Sequence, residues 1–401
     1  MAIQTSSKAT AGNLTKYETE YRMGADARRT YDQLAVELNK TFEPNGVTTQ
    51  VAWATPLVPR PTTAIGSETA DFEPQTWIDT TTSITKVYIN DGFKRHELQE
   101  LKSSLNVRAT NAELMGRLAM ETVDAIARRA ATEGSVAFFG DLSASAHTSR
   151  STLDLGTAND RLTFNAFSAV SSFMANWQHE NDLVAIITPF QYNDLLTSGT
   201  GNLFLSSAGY TERGKEILYN FEVGQAAGIR IVRSPLAKRF YGAGAANASA
   251  VSTTVAASTT ANLAGARTIE VAANTNIVAG MWLTVGTVQS STESDDTLIT
   301  EAVYVNATPS GTTVSITGSG PGGGLMYTHA VGATVKNNDS VHCAVFGHSE
   351  SLAVDFAKFG RYGQPVAPFQ DGNAKQWETH AFKYFGNYGR LDESQIIRVE
   401  T

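Results

Sequence analysis

The clearest periodic pattern of apolar and polar positions lies in residues 110–133. Met115, Leu118, Ala119, Thr122, Val123, Ile126 and Ala130 recur at helical spacing and form one stripe. Thr110-Asn111-Ala112-Glu113 reads as a capping box, with Thr110 as N-cap and Glu113 reaching back. Glu113 with Arg117, and Asp124 with Arg128, are i,i+4 pairs expected on the wet side, and Gly134 suits the C′ position. Upstream the pattern weakens. Residues 16–42 show a patchy helical spacing (Tyr17 with Tyr21, Leu34 with Leu38), interrupted by Gly24 and ended by Pro44-Asn45-Gly46. Residues 47–93 read as extended chain. Val47, Val51 and Trp53 mark one strand; Pro56, Pro59 and Pro61 and a polar turn region at 66–74 follow; a Thr/Ile/Val/Tyr-rich run occupies 77–89. The simplest reading is a long, exposed β-hairpin with little core of its own, which has to lie on a partner.

Residues 160–240 have an α/β texture. A helix is predicted over 164–178 and a buried strand over 182–187. Thr188-Pro189 then starts a helix, Thr as N-cap and Pro at N1, that runs to Leu196; a strand over 228–233 closes at Ser234-Pro235. Residues 243–260 are rich in Ala, Ser, Thr and Gly and read as linker. Short β segments follow at 268–271, 281–285, 301–306, 313–317 and 333–336, separated by turn residues, the pattern of a small β-barrel or sandwich. A strand at 341–346, a short helix at 350–357 and strands at 376–385 and 395–399 complete the chain. Residues 243–337 therefore read as a module inserted into a host domain.

Composition narrows the class. The chain has 401 residues, 42% hydrophobic, which is ample for a core. Only 17% are charged, so much of the surface is expected to meet something other than water. A formal charge of −8 argues against a dedicated nucleic-acid binder with a broad basic face. No apolar run approaches the ~18 residues of a membrane span, and the polar first fifteen residues lack a signal-peptide core. Cys343 is the single cysteine, so no disulfide framework or cysteine metal site is expected, which fits a soluble protein made in a reducing compartment.

Candidate chemistry is sparse. Gly347-His348-Ser349-Glu350-Ser351 lies between a predicted strand and a predicted helix, the setting of a nucleophile elbow, but Ser351 replaces the second glycine and a helix N-cap by Ser349 explains the same residues. His380 and Asp355 would be its partners. The glycine-rich run at 318–324 lacks a following Lys-Ser or Lys-Thr, and Pro321 removes an amide, so a flexible loop is expected rather than a phosphate cradle. Glu293, Asp295 and Asp296 could hold Ca²⁺ but lack the regular loop pattern and read as a solvated turn. His96, His147, His179, His329, His342, His348 and His380 form no zinc pattern, and His342 and Cys343 would face opposite sides of a strand. The pairs Arg28-Arg29, Arg128-Arg129 and Lys238-Arg239 read as solvated, able to touch a polyanion weakly. Trp77, Phe93, Trp177, Phe190, Tyr192, Trp377, Tyr384 and Phe385 read as core and interface anchors. The expectation is no catalytic, cofactor-binding or metal residue, and no enzyme.

The order of elements resembles the major capsid (coat) proteins of tailed bacteriophages, with the fold named after phage HK97. The stretches TTSITKVYINDGFKRHELQEL (81–101), AELMGRLAMETVDAIARRAATEG (112–134), LVAIITPFQYNDLL (183–196) and FEVGQAAGIRIVRSP (221–235) are similar to the coat-protein group typified by phage N4. WETHAFKYFGNYGRLDESQIIRVE (377–400) has the same character. The resemblance implies an α+β HK97-like capsid fold. Its parts are an N-terminal arm (1–46), an extended loop or hairpin region (47–108), a spine helix with the first part of the peripheral and axial domains (109–242), an inserted all-β domain (243–337) resembling small β modules of phage proteins, and the C-terminal axial and peripheral part (338–401). The implied function is self-assembly into pentamers and hexamers of an icosahedral shell enclosing double-stranded DNA. The implied location is the virion, after synthesis in the host bacterial cytoplasm. The implied partners are other copies of the chain, scaffolding, portal and decoration proteins, and weak non-specific contact with DNA, with no membrane and no cofactor. Two alternatives stand beside it: another virion or adhesion protein carrying a β module, and a serine hydrolase using Ser349.

Overall fold

The structure is a computed structural model. It describes residues 19, 21–22, 30–37, 48–54, 79–96, 107–142, 147–154, 157, 160–177, 179, 181–197, 222–245, 249–289, 299–309, 311–356, 363–371 and 377–401. The first strands are β1 (Ala35–Glu37), β2 (Thr48–Ala54), β3 (Asp79–Thr85) and β4 (Val87–His96), followed by helix α1 (Val107–Thr132) and β5 (Ala137–Phe139). Then come α2 (Phe164–Asn176), β6 (Leu183–Ile187), α3 (Pro189–Thr197), β7 (Glu222–Ala226), β8 (Ile229–Arg233) and β9 (Arg239–Phe240). Six short strands follow: β10 (Ser252–Thr254), β11 (Thr268–Glu270), β12 (Trp282–Gly286), β13 (Thr300–Val305), β14 (Thr313–Thr317) and β15 (Thr334–Lys336). The chain closes with β16 (Val341–His348), β17 (Leu352–Phe356), β18 (Gln364–Asp371), β19 (Trp377–Arg390) and β20 (Ile396–Glu400). Two compact units result, one from residues 1–127 and 350–391, the other from 128–349 and 392–401. No described helix is long and apolar enough to cross a membrane.

In the first unit β19 is the organising strand. One edge pairs with β4 over ten residues, from Val87↔Gly386 to Trp377↔His96. The other edge takes β18 along its first half and β17 along its last five residues, and β1 adds to β17 in parallel. β2 and β3 form a separate antiparallel ribbon in register from Thr48↔Thr85 to Ala54↔Asp79. Helix α1, about 39 Å long at 1.5 Å per residue, buries Ala112, Met115, Ala119, Met120, Val123, Ala127 and Ala131. Its small alanines let the helix backbone lie close to whatever packs on that face. The buried stripe is displaced toward Ala112, Met120 and Ala127, and Leu118, Thr122 and Ile126 are only half-buried. The helix also starts at Val107, so Thr110 lies inside its first turn and is not the N-cap; Glu113 instead pairs with Arg117 at 2.6 Å.

The second unit holds a seven-stranded mixed sheet, ordered β5-β20-β16-β6-β8-β7 with β9 also on β16. β16 is buried along nearly its whole length, which explains its unbroken apolar run Ala344-Val345-Phe346. α2 begins where predicted, Thr163 accepting from the Asn165 N–H, and packs Phe167 edge-to-face on Phe346 with ring centroids 5.0 Å apart. β7 and β8 join through Ala227-Gly228, both at positive φ (50° and 82°), the two-residue hairpin turn that matches strand twist.

Residues 251–337 form the other sheet of this unit, ordered β10-β15-β12-β13-β14-β11. A bridge between Val255 and Val271, just beyond β10 and β11, joins its two ends, so the sheet closes into a barrel. Its hydrophobic core is aliphatic, with Val285, Val303, Val305, Val314, Ile316 and Val335 among its buried residues. β-branched side chains suit strands this short because they pack without a rotamer cost. The glycine-rich run is an ordered part of this barrel and not a flexible loop. A Cβ on Gly320 would stand 1.9 Å from the Leu325 carbonyl oxygen and one on Gly324 2.3 Å from that of Gly265. Arg267 Nε donates to the Gly322 carbonyl at 2.9 Å.

Three further expectations change. Where a helix is expected at 350–357, the described residues Leu352–Phe356 form β17, because Leu352, Ala353 and Val354 are buried between β1 and β19 and the ladder on both edges outweighs local propensity. Within 16–42, the described residues 19, 21 and 22 are helical as the spacing predicts, whereas 31–37 is a 3₁₀ turn followed by β1, held by the same ladder. The linker reading of 243–260 misses β10 and the core residues Val251 and Val255. Val251 and Val255 enter the barrel core, while Ala257, Ser258, Thr259 and Thr260 stay exposed.

Candidate functional site

The root of the β2–β3 ribbon is tied to the sheet of the first unit by polar groups. Lys86, between β3 and β4, falls on the same face as buried Ile84 two residues earlier, so alternation carries a charged side chain inward. Here its side chain is buried with Nζ 3.2 Å from Asp355 Oδ2 on β17. Thr49 of β2 donates to the same oxygen. Asn387, opposite Asp355 in register, donates from Nδ2 to the Thr85 carbonyl at 2.7 Å. Taking an ammonium out of water costs several kcal/mol unless it is paired in good geometry, so this arrangement specifies where the ribbon leaves the sheet.

The segment ahead of β1 is held in a similar way. Asp124 turns inward from α1 and accepts the backbone N–H groups of Thr30 and Tyr31 on Oδ1, at 3.0 and 2.8 Å. This replaces the wet-side position expected for it. Tyr388 Oη donates to Asp32 Oδ1 at 3.0 Å. In the second unit, buried Glu400 of β20 takes Arg150 Nη2 at 2.9 Å and lies 2.7 Å from Arg398 Nε. The Arg150 guanidinium in turn sits 3.6 Å from the Phe240 ring centroid.

Helix α3 opens with a reciprocal box. Gln191 N–H donates to Thr188 Oγ1 at 3.2 Å and Thr188 N–H to Gln191 Oε1 at 3.1 Å. Gln191 Nε2 also donates to the His342 carbonyl and to Thr401 Oγ1. His342 stacks on Phe190 with centroids 5.0 Å apart and lies 3.3 Å from Thr188 Oγ1 through Nδ1. Burial, with Arg239 adding to it, lowers its pKa to about 3. Burial pushes the neighbouring Cys343 thiol up to about 12, so it is no thiolate nucleophile. Beside them a cavity of about 380 Å³ opens among Phe190, Arg239, Trp282, Asp339 and His342.

Ser349 does not sit on an elbow. β16 ends at His348, Ser349-Glu350 make a turn, and a strand follows where the elbow needs a helix. Its N–H donates to the Asp182 carbonyl at 3.2 Å. Asp355 is opposite Asn387, and His380 stands seven residues along β19 from Asn387, about 23 Å at 3.3 Å per residue. The acid and the histidine therefore cannot converge.

No family model and no curated protein matches the sequence. Solved structures do match. The capsid of Ralstonia phage GP4 aligns over 94% of this chain and 91% of its own, with a TM-score of 0.56 at 9% identity. The chain has the HK97-like phage capsid fold. The capsid of cyanophage P-SCSP1u (TM-score 0.48, 12% identity, 93% of this chain and 88% of that one) and the mature capsid of bacteriophage PhiM1 (0.48, 10%, 93% and 87%) are also similar.

In this HK97-like chain most polar residues noted in the sequence are engaged internally. Lys238 is buried and Arg128 donates to the Leu236 carbonyl at 2.6 Å, which departs from the solvated reading, whereas Arg129 stays exposed and pairs with Glu133 at 2.7 Å; Arg28-Arg29 lies outside the described residues. His147 lies 2.7 Å from Asp160, and His329 Nε2 is 2.8 Å from buried Glu301, which also accepts the Met326 and Tyr327 N–H groups. His179 is 3.2 Å from Ser394 Oγ, its pKa lowered first by burial. His380 is buried, stacked on Phe93 and 3.4 Å from Asn111 Nδ2. Glu293, Asp295 and Asp296, with Trp77, lie outside the described residues. Tyr384 is fully buried, whereas Trp177 and Phe190 remain partly open. Sequence reasoning missed Lys86, Asp124, Gln191 and Glu400. The one local signal was Thr188-x-x-Gln191, a box pattern; the others acquire their roles from partners distant in sequence.

Proposed function

We propose that this chain is the major capsid protein of a tailed phage, self-assembling into pentamers and hexamers of an icosahedral shell around double-stranded DNA. The observation that carries the reading is the HK97-like capsid fold, matched over 94% of the chain. The two-stranded ribbon β2–β3, which pairs with no third strand among the described residues, supports it. A ribbon of that kind has too little core to be stable alone and gains stability by lying on a neighbour. In this reading residues 1–46 are the arm, 47–108 carry the extended loop, 109–242 and 338–401 make the peripheral and axial parts, and 243–337 are an insertion. The chain's place is the virion shell, after synthesis in the host bacterial cytoplasm. Scaffolding, portal and decoration proteins are its further partners, with weak contact to packaged DNA. Its role is structural, not catalytic.

Negative-stain electron microscopy of the overexpressed chain, with its sedimentation profile, tests this. Closed shells, tubes, or rings of five and six are expected. Trimming residues 1–46, or replacing 60–75 with a short turn, should abolish them and leave folded soluble protein, whereas Ser349→Ala should assemble unchanged. Normal shells from both deletions would count heavily against the reading.

A further inference from the structure

We infer that the cavity beside Phe190 and Trp282 is a binding site for an uncharged carbohydrate ring. It is formed by described residues of the second unit alone, where the barrel strand β12 meets the sheet strand β16 and the start of α3. Its volume of about 380 Å³ falls in the range of small-molecule sites.

Trp282 supplies the platform. The barrel buries aliphatic side chains throughout, yet Trp282 at the start of β12 is 52% exposed. It is nonetheless held in place. Its ring lies 5.4 Å from Tyr304 at 64° and 6.4 Å from Phe190 at 84°. Two near-perpendicular neighbours fix an indole that contributes little to the core, so a guest meets a rigid apolar surface with no rotamer left to freeze.

Most of the lining is apolar, and hydrogen-bonding groups form a smaller part of it. Asn338, Asp339 and Ser340 come from the β15–β16 connection, and Arg239 from β9. The Asn338 amide is oriented by its bond to the Gly244 carbonyl at 3.1 Å. A pyranose satisfies both sides, because its C–H faces stack on the indole and its hydroxyl rim exchanges hydrogen bonds with amide, carboxylate and guanidinium. Charge favours a neutral ring. Arg239 is drawn over the Phe190 ring at 4.8 Å, Asp339 has the opposite sign, and His342 is uncharged near neutral pH. The formal charges of the lining cancel, so it carries no net charge to favour a phosphate or a carboxylated sugar.

Saturation-transfer NMR of the full chain, assembled and unassembled, with maltose, lactose and N,N′-diacetylchitobiose, and with sialyllactose as the charged comparison, tests the site. Transfer to the ring C–H protons of at least one neutral disaccharide is expected in both states. Trp282→Ala should weaken that binding about tenfold or more, and Trp282→Phe should retain most of it; unchanged hydrogen exchange in β12–β13 would show the barrel intact. Failure of all three neutral sugars, equal binding by Trp282→Ala, or preference for sialyllactose would overturn the inference. So would binding that disappears on assembly while Trp282 becomes shielded from acrylamide quenching, which would make this surface a contact between copies of the chain. None of these results bears on whether shells form.

Discussion

Acidification should loosen the second unit through His342. The imidazole is enclosed by Phe190, Thr188 and the backbone of β16, with Arg239 in the same cavity wall. Its folded pKa is lowered to about 3 from the ordinary 6.5, first by burial and then by Arg239. The group is therefore neutral in the folded chain and takes up a proton mainly on unfolding. A depressed histidine pKa means that its full stability is present above pH about 6.5 and is lost as pH falls toward the folded value. At pH 4.5 the unfolded side chain is about two pH units below its own pKa, so the loss is about 3 kcal/mol. The control is His342→Asn, which keeps a polar atom near the Nδ1 position but does not titrate. Because two compact units preclude a single two-state transition, hydrogen exchange should be followed in peptides covering β6, α3 and β16. Between pH 7.5 and 4.5, after correction for intrinsic exchange, the wild-type chain should lose about 3 kcal/mol more protection than His342→Asn. Parallel losses in the two proteins, or an imidazole NMR titration of His342 with a pKa above 6 in the folded chain, would refute the reasoning.

Two other perturbations probe the first unit. Asp124→Ala removes an acceptor for two backbone N–H groups at 3.0 and 2.8 Å; bonds to a charged acceptor contribute about 1.5–3 kcal/mol each, so protection of residues 30–37 should fall by about 3 kcal/mol or more. Asp124→Asn keeps an oxygen in place and should lose clearly less, and indistinguishable exchange in the two variants would contradict the assignment. Gly92→Val should break the β4–β19 pairing, since even a Cβ there would fall 2.2 Å from the His380 carbonyl oxygen. Assembly seen by negative stain should disappear while β16 stays protected from exchange, and normal particles from Gly92→Ala would rule the clash out.

Local signals carried far in this chain. α2, β6, α3, β8 and β14 follow from periodicity, caps and β-branched runs, because each has its determinants inside its own span. Thr163 and Thr188 start their helices with side chains two or three residues from the amides they bind. The short strands of 268–336 likewise declared themselves by turn residues and alternating valines. The overall order of elements was enough to point to the capsid fold.

What could not be read locally was the use of distant partners. Leu352–Phe356 has a composition compatible with either state and becomes a strand because β1 and β19 offer it ladders on both edges. Ser349 loses its resemblance to a nucleophile for the same reason. Asp124, Lys86 and Glu400 are of the charged types that usually face water. Each is drawn inward by groups remote in sequence, Asp355 being 269 positions from Lys86 and Arg150 250 from Glu400. Closure of the barrel depends on one bridge, Val255↔Val271, inside a stretch whose small residues resemble a linker. The cavity at Trp282 exists because strands from two sheets meet there. Chain-local periodicity and capping encode elements, whereas the desolvation and pairing of individual side chains depend on which elements come together in space.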